Sequence, residues 1–396
     1  MPIPSPFHSR TAPLCESQEW RNWSGYLAAG VYEPGHEREY YAIRNAAALI
    51  DVSPLFKYEI SGPQAVSALN RILTRDITRC AIGQVMYSPW CDDHGKVIDD
   101  GTVSRLSEQV FRVTAAEPNL AWFQDCSYRM DVEVRDVSED LAALALQGPN
   151  SRRILEQIFS GMFLTDLQYY RLAQGYAGSI PLTVTRTGYT GDLGYELWVA
   201  AQNAGALWDL LVATGGGLGL APAGIIALDI ARIEAGMIML QVDYISARKA
   251  LIPAQKSSPF EIGLSWTVDL EKGDFVGRKA LLAEKRTGSR WKLVGLEVDW
   301  DSLQALFGRY DLAPQLSGRA SRLAVPLYRE EQQIGQATSH TFSPILKKYI
   351  AIASVESQHA ALGGKLQVEF TVEHSRQKVE AQIVRMPFFD PPRKRA

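Results

Sequence analysis

The sequence predicts an α+β protein that ends in an all-β domain, and three observations support this prediction. Helix and strand patterns alternate over roughly the first 240 residues, but successive strands often read as hairpins, which favours α+β units over a doubly wound sheet. From about residue 290 the patterns read as strands alone, which predicts a separate β-barrel or sandwich. The length of 396 residues is typical of two or three domains.

Composition excludes several classes of protein. Hydrophobic residues make up 46% of the chain and the net charge is −3, so the sequence predicts an ordinary globular protein without affinity for nucleic acid or an anionic membrane. No signal peptide or apolar run of membrane-spanning length is visible, and a cytoplasmic location is expected. The cysteines lack a C-x-x-C pair and the six histidines are scattered, so we expect reduced thiols and no metal site. These cysteines are Cys15, Cys80, Cys91 and Cys126.

The first 85 residues contain four predicted elements. Residues 1–35 are polar and rich in aromatic side chains, and they are expected to form an irregular arm. A helix is predicted over 36–49 and a strand pair over 48–53 and 56–62, because apolar residues alternate in the second strand. A further helix follows Pro63, which suits a first helical turn.

The rest of the chain continues the same alternation. Residues 85–106 predict a β-hairpin that turns at the segment DDHG. The later predicted elements are strands at 109–116, 132–137 and 141–148, helices at 119–130, 150–159 (capped by Asn150), 206–215 and 225–240, and an irregular connection at 241–259. The basic C-terminal segment PPRKRA is expected to be frayed.

The most informative segment is RTGYTGDLGYELWV at residues 186–199. Its three glycines permit positive φ or a close approach to a ligand, and Tyr189, Tyr195 and Glu196 lie among them. Rings and a carboxylate on such a loop suit a planar ligand with N–H donors, although a glycine-rich hairpin whose tyrosines cover a core fits the spacing equally well. The order of the glycines does not match a phosphate-binding loop. The glycines are Gly188, Gly191 and Gly194.

Two successive aspartates, Asp99 and Asp100, follow the second strand of the hairpin. If the strand continues through them, one side chain points to each face, and the interior carboxylate needs partners or a raised pKa, as at functional sites. If the strand ends at Asp99, both acids lie in a turn. On the opposing strand, Tyr87 and Trp90 could line a pocket or form ordinary cross-strand packing.

Other single residues are ambiguous. The pair Tyr169 and Tyr170 precedes a strand region, Trp266 is typical of a core residue, and His340 is more typical of a hydrogen-bonded structural histidine than of a catalyst. The sequence contains no serine-protease spacing, nucleophilic-cysteine signature or metal signature. One isolated acid near the aromatic loop is therefore the best chemical candidate.

Taken together, these segments resemble the aminomethyltransferase family, the tetrahydrofolate-binding T-protein of glycine cleavage and its relatives. The resemblance extends over nearly the whole chain. The most specific matches are the segments YSPWCDDHGKVIDDGTV (87–103) and RTGYTGDLGYEL (186–197), supported by ALQGP (145–149), APAGIIALDIARIEA (221–235) and SHTFSPILKKYIAIA (339–353).

The resemblance implies a three-domain cloverleaf of two α+β domains and a C-terminal β-barrel. On this basis one α+β domain comprises residues 1–57 and 150–255 and carries the folate loop. The second comprises 58–149 and carries the hairpin, and the barrel comprises 285–396.

The resemblance also implies roles for individual residues, with tetrahydrofolate as the cofactor and no metal. Asp100 corresponds to the essential catalytic acid of the family. Glu196 can accept two hydrogen bonds from the amino-pyrimidinone edge of a pterin, and aromatic side chains can hold its ring. The expected cofactor-binding residues are Tyr87, Tyr170, Tyr189, Glu196 and Trp266.

Three positions depart from the glycine-cleavage pattern. Leu228 replaces an arginine, Thr114 an asparagine and Ser104 a tyrosine, so a different donor is expected to fit. These changes favour the branch of folate-dependent demethylases that take a methyl group from sulfur, oxygen or nitrogen of a small compound. The alternatives are an aminomethyltransferase that acts with a carrier protein and a folate-binding protein without catalysis.

Overall fold

The computed structural model describes residues 1–396. The chain forms two compact units. The first comprises Met1–Trp90, Asp99–Ala231 and Pro391–Ala396, and the second comprises Cys91–Ile98 and Arg232–Asp390. The three domain boundaries expected from the sequence stay a prediction.

The helices and strands are numbered in chain order. The strands are β1 (Ile3–Pro4), β2 (Trp20–Trp23), β3 (Tyr26–Ala29), β4 (Ala47–Asp51), β5 (Phe56–Ser61), β6 (Val85–Cys91), β7 (Val97–Arg105), β8 (Val110–Ala115), β9 (Glu133–Asp136), β10 (Leu141–Gln147), β11 (Phe159–Ser160), β12 (Leu172–Ala177), β13 (Ile180–Thr185), β14 (Gly194–Ala200), β15 (Leu220–Pro222), β16 (Trp291–Val298), β17 (Val325–Arg329), β18 (Gln332–Ser343), β19 (Lys348–Glu356), β20 (Lys365–Val372) and β21 (Ser375–Val384). The α-helices are α1 (His8–Thr11), α2 (Glu37–Asn45), α3 (Ala65–Ile72), α4 (Leu120–Cys126), α5 (Ser151–Leu155), α6 (Ala204–Gly215), α7 (Ile225–Glu234), α8 (Arg278–Thr287) and α9 (Trp300–Gly308). Every helix falls short of the length and hydrophobicity that a bilayer-spanning segment requires.

The N-terminal segment forms a small sheet, so the expectation of an irregular arm was wrong. The strand order is β1-β3-β2. Strands β2 and β3 are joined by a two-residue turn in which Ser24 and Gly25 both have positive φ, at 49° and 88°. Such turns match the twist of a hairpin, and the dipeptide Ser-Gly between aromatic residues was the signal for it.

A seven-stranded sheet provides the glycine–tyrosine segment. Its strand order is β11-β12-β13-β14-β10-β4-β15, and α5 and α6 pack on its apolar core. Strand β14 pairs antiparallel with β10 along its whole length and with β13 at residues 196–198. Glu196 is therefore fixed by ladders on both sides.

A five-stranded sheet in the order β6-β7-β8-β5-β9 provides the hairpin. The hairpin, the strand at β8 and the helix α4 confirm the sequence expectations. The expected pairing of 48–53 with 56–62 was wrong, because β4 joins the seven-stranded sheet and β5 joins this one. Alternation identified both strands, but it contains no information about which partner each one selects.

The C-terminal strands β16 to β21 close a barrel in the order β16-β19-β18-β17-β20-β21, which confirms the predicted barrel. The expectation of strands alone was incomplete, because α9 follows β16. Asp299 caps this helix by accepting a hydrogen bond from the Ser302 amide at 2.7 Å. Its apolar residues Leu303, Leu306 and Phe307 recur at helical spacing and join the barrel core.

Candidate active site

The glycine–tyrosine segment is folded around one buried amide side chain. Gln147, at the end of β10, donates from Nε2 to the carbonyl oxygens of Thr187 and Tyr195, both at 3.3 Å, and accepts from the Thr190 hydroxyl at 2.8 Å. A Cβ at Gly188 or Gly194 would lie 2.2 Å from its Oε1. These two glycines are therefore required by the approach of Gln147.

This finding corrects the expected use of the glycines. Gly191 has a positive φ, at 72°, as the flexible-loop hypothesis required. Gly188 and Gly194 instead provide room for a neighbouring side chain. The sequence left open whether Tyr195 faces a ligand or covers a core. The structure buries Tyr195 in the hydrophobic core of the seven-stranded sheet.

Glu196 is half-buried on β14, and one of its two carboxylate oxygens is held by threonines. Its Oε2 accepts from Thr187 Oγ1 at 2.6 Å and from Thr185 Oγ1 at 3.3 Å. Loss of hydration raises the pKa of the Glu196 carboxyl, and the hydroxyl donors and the nearby Arg112 oppose this rise. The side chain is thus oriented from one side, while Oε1 accepts no hydrogen bond from the protein.

The two aspartates both lie within β7, so the strand continues through them and they point to opposite faces. Asp99 is fully buried and accepts from the amides of Asp100 and Glu117 and from Asn119 Nδ2, at 2.8, 2.9 and 2.9 Å. Burial and the charge of Asp100 raise the pKa of the Asp99 carboxyl. Asp99 is therefore the structural carboxyl, and Asp100 lies on the other face.

Asp100 accepts a hydrogen bond from the Tyr87 hydroxyl at 2.6 Å. Burial raises the pKa of Tyr87, and the charges of Asp100, Tyr170 and Tyr189 add to this rise. Burial likewise raises the pKa of Tyr170, with a further contribution from Glu196. Through these pairwise interactions, five of the six sequence-predicted site residues form one linked group within the first unit.

The backbone at Tyr170 is unusual. Its φ is 61°, a value that is uncommon for a residue with a large side chain. Two backbone hydrogen bonds hold it: its carbonyl accepts from the Val85 amide at 2.9 Å and its amide donates to the Arg186 carbonyl at 3.1 Å. Tyr170 therefore connects the start of the hairpin with the start of the glycine–tyrosine segment, and strain of this kind clusters at functional sites.

A polar face of the five-stranded sheet adjoins these residues, and it contains a group that the sequence analysis missed. Arg112 on β8 is directly opposite Ser104 on β7, and Thr114 is hydrogen-bonded to Thr102. Arg112 is 4% exposed, and its guanidinium carbon lies 4.2 Å from the ring centroid of Trp198. The signal was a charged residue at an inward position of the alternating strand FRVTA.

The remaining predicted residues lie elsewhere. Trp266 belongs to the second unit, in the single turn Ser265–Thr267, and is 59% exposed, so it is not a core residue. His340 is structural: its Nδ1 accepts from the Tyr349 hydroxyl at 2.7 Å and its Nε2 donates to the Leu323 carbonyl at 3.2 Å. Leu228 is buried in α7. All four cysteines are buried free thiols.

The C-terminal segment is anchored, so the expectation of a frayed end was wrong. Arg393 donates from Nε and Nη2 to the two carboxylate oxygens of Asp192, at 2.6 and 2.8 Å. Arg152 donates to the Ala396 carbonyl at 2.7 Å, and Arg186 donates to the same oxygen. The expectation that Asn150 caps α5 was also wrong. Its side-chain amide instead donates to the Leu218 carbonyl at 2.9 Å.

A concavity of about 500 Å³ lies elsewhere on the first unit, lined by residues that include Tyr26, Phe56, Asp136 and Glu139. None of the predicted site residues lines it. Its lining contains the acidic residues Asp136, Glu139 and Asp140 and no basic side chain. The cluster of Asp100, Glu196 and the three tyrosines is therefore the better candidate on chemical grounds.

Comparison with known proteins identifies the family of this chain. The family model for the GCVT N-terminal domain matches residues 7–272, and that for the glycine cleavage T-protein C-terminal barrel domain matches residues 292–390. An aminomethyltransferase of Halothermothrix orenii is 34% identical over 355 residues, which cover 88% of this chain and 90% of the relative. A trimethylamine-oxide aldolase of Ruegeria pomeroyi is 33% identical over 402 residues, which cover 98% of this chain and 47% of the relative.

The fold agrees as well. The crystal structure of the glycine cleavage system aminomethyltransferase T from Bartonella henselae matches with a TM-score of 0.82 at 23% identity, over 98% of this chain and 99% of that one. The α+β architecture with a terminal barrel is thereby confirmed. The chain therefore belongs to the glycine cleavage T-protein (aminomethyltransferase) family, as its motifs predicted, and is an enzyme of one-carbon transfer.

Proposed function

We propose that this enzyme is a tetrahydrofolate-dependent transferase that removes a methyl group from sulfur, oxygen or nitrogen of a small metabolite. The observation that carries the proposal is the polar cluster of the first unit, in which Tyr87 donates a hydrogen bond to Asp100. Electrostatic interactions relate Tyr87 to Tyr170, and Tyr170 to Glu196. One carboxylate would bind the coenzyme, and the other would act where the carbon is transferred.

The residues around Glu196 fit a reduced pteridine. Its Oε1 has no donor from the protein, and the buried Nε and Nη2 of Arg112 have no acceptor. A ligand edge that offers both N–H donors and an acceptor would satisfy these atoms, since buried polar groups left unpaired are costly. Tyr87, Tyr170 and Tyr189 would hold the flat ring by stacking and hydroxyl contacts.

Tetrahydrofolate, when bound, supplies an amine nitrogen that accepts the carbon. Asp100 would stabilise the positive charge that develops on an amine beside it and would accept its proton, while Tyr87 keeps the carboxylate oriented through the 2.6 Å hydrogen bond. Holding the donor carbon and the nitrogen in line provides much of the remaining rate enhancement. Trp266 stays a candidate for contact with the coenzyme.

Two findings support a methylated donor. Leu228 and Thr114 remove the cation and the amide that the glycine-cleavage pattern places toward the aminomethyl donor. Ser104, which replaces a phenol of that pattern, lies opposite Arg112 and four residues along β7 from Asp100. In addition, the relative named trimethylamine-oxide aldolase matches over 98% of this chain, and its name indicates an N-methylated compound. The competing function is aminomethyl transfer from a carrier protein, which the relatives named aminomethyltransferase favour.

A donor assay distinguishes these functions. The purified protein is incubated with tetrahydrofolate and a panel of methylated sulfur, oxygen and nitrogen compounds, and the folate products are separated by mass spectrometry. We expect methyl-tetrahydrofolate with at least one compound of the panel. Ammonia and methylene-tetrahydrofolate formed from an aminomethyl-loaded lipoyl carrier would instead establish the competing function. Coenzyme binding without turnover on any donor would indicate a folate-binding protein.

The Asp100→Asn variant tests the catalytic role. Because asparagine is isosteric but cannot accept a proton, we expect tetrahydrofolate affinity within a few-fold of the wild type and a loss of turnover of roughly 100-fold or more. Calorimetry measures the first quantity, and product formation measures the second. Turnover close to that of the wild type would show that Asp100 is not the catalytic acid.

A further inference from the structure

We propose that Arg112 recognises the 4-oxo group of the pteridine, so that Arg112 and Glu196 together read its 2-amino-4-oxo edge. This inference rests on the proposed function, since it assumes that tetrahydrofolate binds at Glu196. It assigns a further coenzyme-binding residue that sequence reasoning did not identify, and it specifies which atom of the ligand that residue selects.

Burial leaves the guanidinium of Arg112 with few hydrogen bonds. The residue is 4% exposed, yet its buried Nε and Nη2 donate no hydrogen bond within the protein. Stacking on the ring of Trp198 at 4.2 Å orients the guanidinium but satisfies none of its N–H groups. Burial lowers the pKa of Arg112 to about 10, and the nearby carboxylates of Glu196 and Glu59 oppose this shift only in part.

Arg112 and Glu196 lie near each other without forming an ion pair. The two side chains are close enough to affect each other's pKa, but they form no ion pair within 4.0 Å. Glu196 is held by Thr185 and Thr187 on one oxygen, and Trp198, which lies two residues further along β14, supports Arg112. Two opposite charges that are each oriented, desolvated and not paired with one another indicate a ligand that bridges them.

The position of Arg112 along the sheet indicates which part of the ligand it contacts. Arg112 lies opposite Ser104, four residues along β7 from Asp100, which corresponds to about 13 Å at the rise of a strand. Arg112 is therefore at the end of the site where Glu196 lies, and not at the end where the carbon would be transferred. A carboxylate on the methyl donor is the less favoured partner for this reason.

The chemistry of the two groups is complementary to one edge of a pteridine. That edge presents an amino group, a ring N–H and a carbonyl oxygen in a row. A carboxylate can accept from the first two, and a guanidinium beside it can donate to the third, with a charge-assisted hydrogen bond. Arg112 would therefore favour a 4-oxo ligand over a 4-amino ligand, which replaces the acceptor with donors.

The test uses tetrahydrofolate and tetrahydroaminopterin, which differ at position 4, and measures their affinity for the full-length protein by anaerobic calorimetry. We expect the wild type to bind tetrahydrofolate more tightly. In Arg112→Met, which keeps the length of the side chain, tetrahydrofolate affinity is expected to fall roughly ten- to 100-fold. The preference for the 4-oxo compound should narrow but not vanish, because Glu196 still requires the ring N–H that the 4-amino compound lacks. Arg135→Met, on β9 of the same sheet and half exposed, is the matched control and should bind like the wild type.

Each result has a defined meaning. If Arg112→Met binds tetrahydrofolate like the wild type, or loses affinity for both ligands equally, the inference is wrong. The same conclusion follows if only the affinity for a carboxylate-bearing methyl donor falls. Should Arg112→Met not fold, Arg112→Lys provides the test, because an ammonium stacks poorly and is expected to weaken the 4-oxo preference. A wild type that binds neither compound would refute the proposed function itself, which is a separate outcome.

Discussion

Replacement of Asp192 by alanine is expected to destabilise the first unit by about 3–5 kcal/mol, which is the usual cost of breaking a buried ion pair from one side. The carboxylate is fully buried and accepts two hydrogen bonds from Arg393. It also lies 3.6 Å from Nη1 of Arg44, whose side chain is itself fully buried. The variant therefore removes a fully buried carboxylate that lies near two guanidinium groups, one of them also fully buried.

Arg393→Met is the comparison that tests this reasoning. The Arg393 side chain is 39% exposed, so solvent screens part of its interaction, and Asp192 keeps Arg44 after the change. A loss of about 1–2 kcal/mol is expected, less than half the cost of Asp192→Ala. At about 2–4 °C for each kcal/mol in a unit of this size, Asp192→Ala should lower Tm by roughly 6–20 °C.

Both quantities are measured by chemical and thermal unfolding followed by circular dichroism, with the double variant included. Because the two residues share one interaction, the double variant should cost about the same as Asp192→Ala alone. The reasoning is refuted if Asp192→Ala costs less than about 1 kcal/mol, or if Arg393→Met costs as much. Either result would show that the buried charge of Arg44 does not depend on Asp192.

Two further predictions follow from the same segment. Gly194→Ala should lower the free energy of unfolding by about 1–3 kcal/mol, because its Cβ would lie 2.2 Å from Gln147 Oε1. This cost should fall markedly in a Gln147→Ala background, and a double-mutant cycle of denaturant unfolding measures the difference. Equal costs in both backgrounds would contradict the close-approach argument. Tetrahydrofolate affinity should fall as pH falls through the pKa of Glu196, which burial raises above 4.5, because the carboxylate must be ionised to accept two hydrogen bonds. Calorimetry across this pH range should show the dependence in the wild type and its loss, with weaker binding, in Glu196→Gln.

Local sequence determined much of the secondary structure. Alternation identified β5 to β8 and the barrel strands, and the DDHG turn fixed the hairpin, because turn chemistry and periodicity act within a few residues. Local patterns failed for α9, because its Asp299 cap and helical spacing were interpreted as part of a series of strands. They also failed to predict the sheets that β4 and β5 join.

For the candidate site, too, the sequence determined some features and the tertiary structure determined others. The sequence by itself identified the family, the glycine–tyrosine segment and the two aspartates, since these depend on residue type and order. Only the tertiary structure decided that Asp99 is structural while Asp100 accepts a hydrogen bond from Tyr87. It also decided that Gly188 and Gly194 make room for Gln147, and that Nε and Nη2 of Arg112 have no hydrogen-bond acceptor. Strand direction, register and burial set these distances between residues far apart in the chain, and no local pattern encodes them.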